Sequence, residues 1–116
     1  MRNQGTIRVT NKRKGSRHIP SPGEYIVNID RRNLILGNRY ILPKKQTPED
    51  RRTVIEAYRV DLEADKLAKG PISQELRRIA AFVRCGANVA LDCWCAPLPC
   101  HGDVIKEEIE RLISAP

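Results

Sequence analysis

Apolar and polar positions change their spacing several times along this chain, and each change marks an element. Thr6 to Thr10 alternates, with Ile7 and Val9 on one face, which predicts a short strand. Asn11 to Arg17 breaks that pattern, and His18 to Gly23, with two prolines, reads as a loop. Tyr25 to Ile29 is rich in β-branched and aromatic residues and predicts a second strand. Asp30 to Asn38 is polar at both ends, and Gly37-Asn38 closes it as a turn. Thr47-Pro48-Glu49-Asp50 then opens a helix: a hydroxyl cap, a proline suited to the first helical position, and two acids facing the positive helix end. Val54, Ile55, Tyr58 and Leu62 fall on one face of it. Gly70-Pro71 stops it, and Ser73 is expected to cap a second helix with a stripe of Leu76, Ile79, Ala80 and Val83, closed by Gly86. Val89 to Cys95 returns to a period of two. That puts Val89, Leu91, Cys93 and Cys95 on one face and Asp92 and Trp94 on the other. A last helix carries Ile105, Ile109, Leu112 and Ile113.

The order strand, strand, helix, helix, strand, helix predicts an α/β fold. It implies a small, at least partly parallel sheet with helices packed on it, Rossmann-like in two or three layers. A length of 116 residues fits one domain over 1–116, with residues 1–5 and 115–116 expected to fray. No run is apolar enough to span a membrane, and the basic N-terminus lacks the apolar segment of a secretory signal. The expected location is therefore a cytoplasm, where thiols stay reduced and clustered cysteines read as metal-binding or catalytic.

Charge adds one feature. The net charge is +7, and residues 1–23 hold six basic side chains and no acid, while the remainder is nearly balanced. Such a cluster attracts phosphate backbones or acidic protein surfaces, or is simply a solvated arm.

The candidate chemistry lies in Cys93-Trp94-Cys95-Ala96-Pro97-Leu98-Pro99-Cys100-His101-Gly102-Asp103, which holds three of the four cysteines. It runs from a strand end into a helix start, the edge where open α/β sheets bind ligands and where free backbone N–H groups favour an anion or a thiolate. Cys93, Cys95, Cys100 and His101 are candidate ligands for zinc, although this spacing is not a common zinc pattern. Cys100, His101 and Asp103 are candidate catalytic groups, supplying thiol, base and carboxylate, although adjacent residues rarely orient one another as nucleophile and base. The plain reading is that the cysteines are small buried hydrophobes, that Cys85 only packs, and that Trp94 is core unless it serves as a stacking platform. Whether the protein is an enzyme stays open.

The run ALDCWCAPLPCHGDVIKEEI resembles the C-terminal hallmark of the uncharacterised family known as the domain of unknown function numbered 4326, whose members read strand, CWC-x-P-x-x-CHGD, helix. Residues Ile7 to Arg13 resemble its early strand followed by basic residues. Asp30 to Tyr40 resembles its GR-x-S-x-x-GNP-[FY] segment, with Asp30 in place of the glycine and Arg39 in place of the proline. Arg51, Val54, Ile55 and Tyr58 match its R-x-x-VI-x-x-Y helix. The resemblance implies that residues 6–13 belong to the fold, and it implies a phage or bacterial source, with the host-cell cytoplasm as location for a phage product. It supplies no reaction. Together with the residues it gathers Asn11, Arg13, Arg31 and Asn38 as a candidate ligand-binding set beside the Cys/His loop. The expected partner is a nucleotide or nucleic acid bound through phosphate. The alternative is a non-enzymatic phage protein that binds and modulates a host protein.

Overall fold

The computed structural model describes residues 4–43, 45–96 and 98–115. The elements are β1 (Ile7–Asn11), β2 (Tyr25–Asn28), α1 (Pro48–Ala68), α2 (Pro71–Arg84), β3 (Val89–Cys93) and α3 (His101–Ser114), in the order the periodicity predicts. The three strands form one sheet in the order β1-β3-β2, and both pairings are parallel, with Ile7 and Tyr25 each opposite Val89. The last strand in sequence is thus central, and all five of its residues are buried.

Strand alternation decides which face meets the helices. Val89, Leu91 and Cys93, flanked by Ile7, Val9 and Val27, join the helical residues in one apolar core. α3 lies directly on β1 and β3, and α1 and α2 pack on α3 and on each other. The opposite face carries Arg8, Thr10, Ala90 and Asp92. Among the described residues no helix covers it; the loop between β1 and β2 covers its β1 side, while Ile26 of β2 stays exposed. Asn11 N–H donates to the His18 carbonyl at 2.8 Å, Arg8 Nη2 donates to the Ile19 carbonyl at 3.0 Å, and Arg8 pairs with Glu24 at 2.5 Å. Beneath that loop Thr10 Oγ1 donates to Asp92 Oδ1 at 2.8 Å, and Lys12 Nζ reaches Asp92 Oδ2 at 3.2 Å. The fold therefore has two layers of regular structure. Arg8 and Lys12, two of the six N-terminal cations, are neutralised inside it rather than displayed on an arm.

The helix signals act locally, as expected, with one correction. Thr47 and Asp50 cap α1 reciprocally, Asp50 N–H to Thr47 Oγ1 at 3.1 Å and Thr47 N–H to Asp50 Oδ2 at 3.0 Å. Pro71 does not merely stop α1; it opens α2, with Gly70 as the N-cap. Ser73 lies inside the helix and donates its hydroxyl to the Gly70 carbonyl. The capping carboxylate comes instead from Asp65 of α1, which accepts from Ser73 N–H at 2.7 Å and Ile72 N–H at 3.2 Å. Gly86, at φ 105°, ends α2 as predicted. Cys85 beside it is exposed, so it does not pack in the core.

Of the termini expected to fray, residues 1–3 and Pro116 lie outside the described residues. Gly5 N–H donates to the Val83 carbonyl at 2.8 Å. Among the described residues no helix is long and apolar enough to cross a membrane.

Candidate functional site

The loop after β3 is fastened before it carries any chemistry. β3 ends at Cys93, two residues short of the expected Cys95, so Cys95 does not share a pleat face with Cys93. Where the pleat breaks, Trp94 turns outward, 60% exposed, and its Nε1–H donates to Asp30 Oδ2 at 3.2 Å. Asn11, at the end of β1, holds the loop from below. Its Nδ2 donates to the Ala96 carbonyl at 2.6 Å and the Trp94 carbonyl at 3.4 Å, and its Oδ1 accepts from Arg13 N–H at 2.8 Å. Cys100 then becomes the N-cap of α3, its backbone N–H donating to Asp103 Oδ2 at 3.0 Å. The start of α3 sits close against the sheet because Gly102 lacks a side chain. A Cβ there would lie 2.8 Å from Ile29 Cδ1 and 3.2 Å from Cys100 Sγ.

The result is a triangle of sulfurs. Cys93, Cys95 and Cys100 present ligand atoms that all lie within 4.8 Å of one another, and Cys93 Sγ is 3.6 Å from Cys100 Sγ. A tetrahedral metal with bonds to sulfur of about 2.3 Å needs sulfurs about 3.8 Å apart. These three residues could hold a metal ion without rebuilding the loop. Their protons are unequally held. Cys95 is pushed well down because Cys100 and Cys93 donate hydrogen bonds to its sulfur, aided by the Arg51 guanidinium. Cys100 is pushed up, first by its hydrogen bond with Cys93 and then by that with Cys95, with burial adding to them. A metal ion bound by the three sulfurs would displace their protons.

His101, expected as the fourth ligand, does not join the triangle. Its ring is buried against Tyr58, centroids 5.0 Å apart, and Nε2 lies 2.7 Å from the Ile29 carbonyl. A carbonyl only accepts, so Nε2 carries the proton, and burial holds the imidazole neutral by lowering its pKa. Cys100 and His101 diverge because the N-cap residue has extended backbone, which sends successive side chains to opposite sides. Asp103 Oδ2 is taken up by the cap of α3 and His101 Nε2 by the Ile29 carbonyl, so neither of these bonds links the imidazole to the thiol or to the carboxylate.

Beside the triangle opens a cavity of about 260 Å³, walled by Cys93, Cys95 and Cys100 together with Arg31, Asn38 and Trp94. It lies beyond the carboxyl ends of the strands, where an α/β sheet offers its ligand site. Of the expected ligand-binding residues, Arg31 and Asn38 line it, and Asn11 and Arg13 do not. Asn38 is already committed: its Nδ2 donates to the Val54 carbonyl at 3.2 Å and its Oδ1 accepts from Tyr40 N–H at 2.9 Å. Arg31 is exposed. Among the described residues no hydrogen bond or ion pair engages its guanidinium.

The residue that sequence reasoning missed is Arg51. It reaches from α1 to the Pro99 carbonyl at 3.1 Å and to Gln46, and it borders the same cavity. A signal was present: an arginine in the first turn of a helix opposes the positive end of the dipole, so its place there needs another reason. That reason is the cysteine loop, whose Pro99 carbonyl it holds.

Comparison with known proteins adds a family and no function. No curated protein and no solved structure matches the chain. One family model, described as Domain of unknown function (DUF4326), matches residues 9–111, nearly the whole length. Pro97, within the loop that carries the resemblance, lies outside the described residues. The span of the match takes in the end of β1 with Asn11, the sulfur triangle and most of α3, and this chain belongs to the family Domain of unknown function (DUF4326).

Proposed function

We propose that this protein binds a phosphate-bearing ligand, a nucleotide or a segment of nucleic acid, in the cavity beyond its strand ends, with zinc held by Cys93, Cys95 and Cys100 in the cavity wall. The observation that carries the reading is convergence. The sulfur triangle and the exposed indole of Trp94, from the loop after β3, border one cavity with the unengaged guanidinium of Arg31, which comes from the loop after β2. Arginine matches phosphate geometry, and an exposed indole beside it offers a base a stacking face. Zinc suits three thiolates better than the hard cations do.

Trp94 is the sole tryptophan, so its fluorescence reports on the cavity directly. Titration with nucleotides and short DNA or RNA should quench or shift its emission, and binding should weaken as salt rises. Arg31→Ala should weaken binding by about tenfold or more, the worth of a charge-assisted hydrogen bond of ~1.5–3 kcal/mol. Metal analysis of protein purified under reducing conditions should find one zinc per chain. No saturable binding, or binding indifferent to salt, would refute the phosphate reading; absence of metal would refute the zinc.

A second reading is a phage product that docks on a host protein, with the basic surface meeting an acidic partner. It is favoured by Leu34 and Ile41, 95% and 66% exposed on the segments beside the cavity. Capture of one stoichiometric host protein, insensitive to nuclease, together with failure of the nucleotide titration, would decide for it.

A further inference from the structure

We infer that the metal centre is an open one: three cysteines hold the ion, and its fourth position faces the cavity, taken by water at rest and by a neutral nitrogen donor of the bound ligand. This rests on the reading that the cysteines hold zinc. Among the described residues no fourth Cys, His, Asp or Glu places a ligand atom within the 4.8 Å group. The nearby candidates are engaged elsewhere: His101 on the Ile29 carbonyl, Asp103 on the Cys100 backbone. Cys85 stands exposed at the end of another helix. Zinc completes a tetrahedron, and a site that leaves one vertex to solvent or ligand is the type that handles substrate rather than only stapling a fold.

The cavity lies on the open side. All three cysteines line it, with Cys93 and Cys100 buried and Cys95 half-buried. Charge then selects the donor. Three thiolates around a dication leave one net negative charge, offset in part by Arg51 beside Cys95. That negative charge disfavours an anionic phosphate oxygen relative to an uncharged ring nitrogen. Phosphate belongs with Arg31 on the cavity wall, and the nitrogen-bearing end of the ligand belongs at the metal. The two ends of a nucleotide supply these two chemistries.

The full chain, reduced and loaded with cobalt(II) in place of zinc, tests this. One cobalt per chain with the intense visible bands of a tetrahedral thiolate site is expected. Imidazole, the neutral nitrogen probe, should shift those bands saturably, and inorganic phosphate at the same concentration should leave them unchanged. X-ray absorption of the zinc form should show three sulfurs and one lighter atom. Bands indifferent to imidazole, a fourth sulfur, or a shell completed by a protein imidazole overturns the open centre while the metal site stands. Bands that phosphate shifts as imidazole does overturn the choice of donor. A protein that takes up no metal removes the zinc reading itself, and the inference with it.

Discussion

Replacing Asn11 by alanine should detach the cysteine loop from β1 at a cost the structure lets us work out. Asn11 is 7% exposed and spends both ends of its amide on backbone. Truncation leaves the carbonyl of buried Ala96 without its 2.6 Å donor, and a stranded buried acceptor costs about 1–3 kcal/mol. The Arg13 N–H also loses its 2.8 Å acceptor, but Arg13 is exposed and water replaces the bond, so this adds only about 0.5–1 kcal/mol. The sum is about 1.5–4 kcal/mol, which in a domain of this size lowers Tm by roughly 5–25 °C. Asn11→Asp should cost at least as much. It keeps the acceptor for Arg13 but turns an anionic oxygen toward the Ala96 carbonyl in place of a donor. Arg13→Ala should change stability by less than about 0.5 kcal/mol, since only its backbone bonds to Asn11. Urea denaturation of the reduced protein, followed by Trp94 fluorescence and by far-ultraviolet circular dichroism, measures all three. An Asn11→Ala protein within about 0.5 kcal/mol of the parent, with unchanged Trp94 emission, would show that the loop is held by something other than this side chain. Weaker nucleotide binding at full stability would restore Asn11 to the ligand set.

Gly37→Ala should destabilise by roughly 2–3 kcal/mol, because a Cβ would lie 2.5 Å from the Asp30 carbonyl oxygen and 2.6 Å from that of Asn33, and backbone cannot swing aside. Denaturant midpoints would show it, and a neutral outcome would mean that the Asp30–Asn38 loop yields to the added methyl. Acid should weaken the fold. Hydrogen bonds from Arg8 and Arg111 hold Glu24 and Glu108 below the ordinary 4.5, and Arg32 does the same for Asp30 below 3.8. The folded state therefore binds fewer protons than the unfolded one through this range. Their contribution is complete above about pH 5 and is lost progressively as pH falls toward the depressed native values, so urea midpoints should decline from about pH 5 to about pH 3. A flat profile there would refute the three pairings.

The sequence by itself determined what is local. Strand alternation assigned Ile7, Val9, Val89 and Leu91 to the core face, because a pleat allows only two sides. Thr47, Pro48 and Asp50 started α1, because a cap is satisfied within four residues of itself. Cys93, Cys95 and Cys100 were legible as a group for the same reason: a short loop keeps its ends near each other. Only the tertiary structure decided who bonds to whom at a distance. Asn11 and Arg31 look alike to a sequence reading as polar residues at strand ends. Packing commits the first to the loop backbone and leaves the second unengaged. Arg51 enters the site because α1 docks beside a loop far away in the chain, a pairing no local pattern encodes. His101 leaves it because the extended backbone at the N-cap Cys100 sends the next side chain away from the sulfur triangle, against Tyr58.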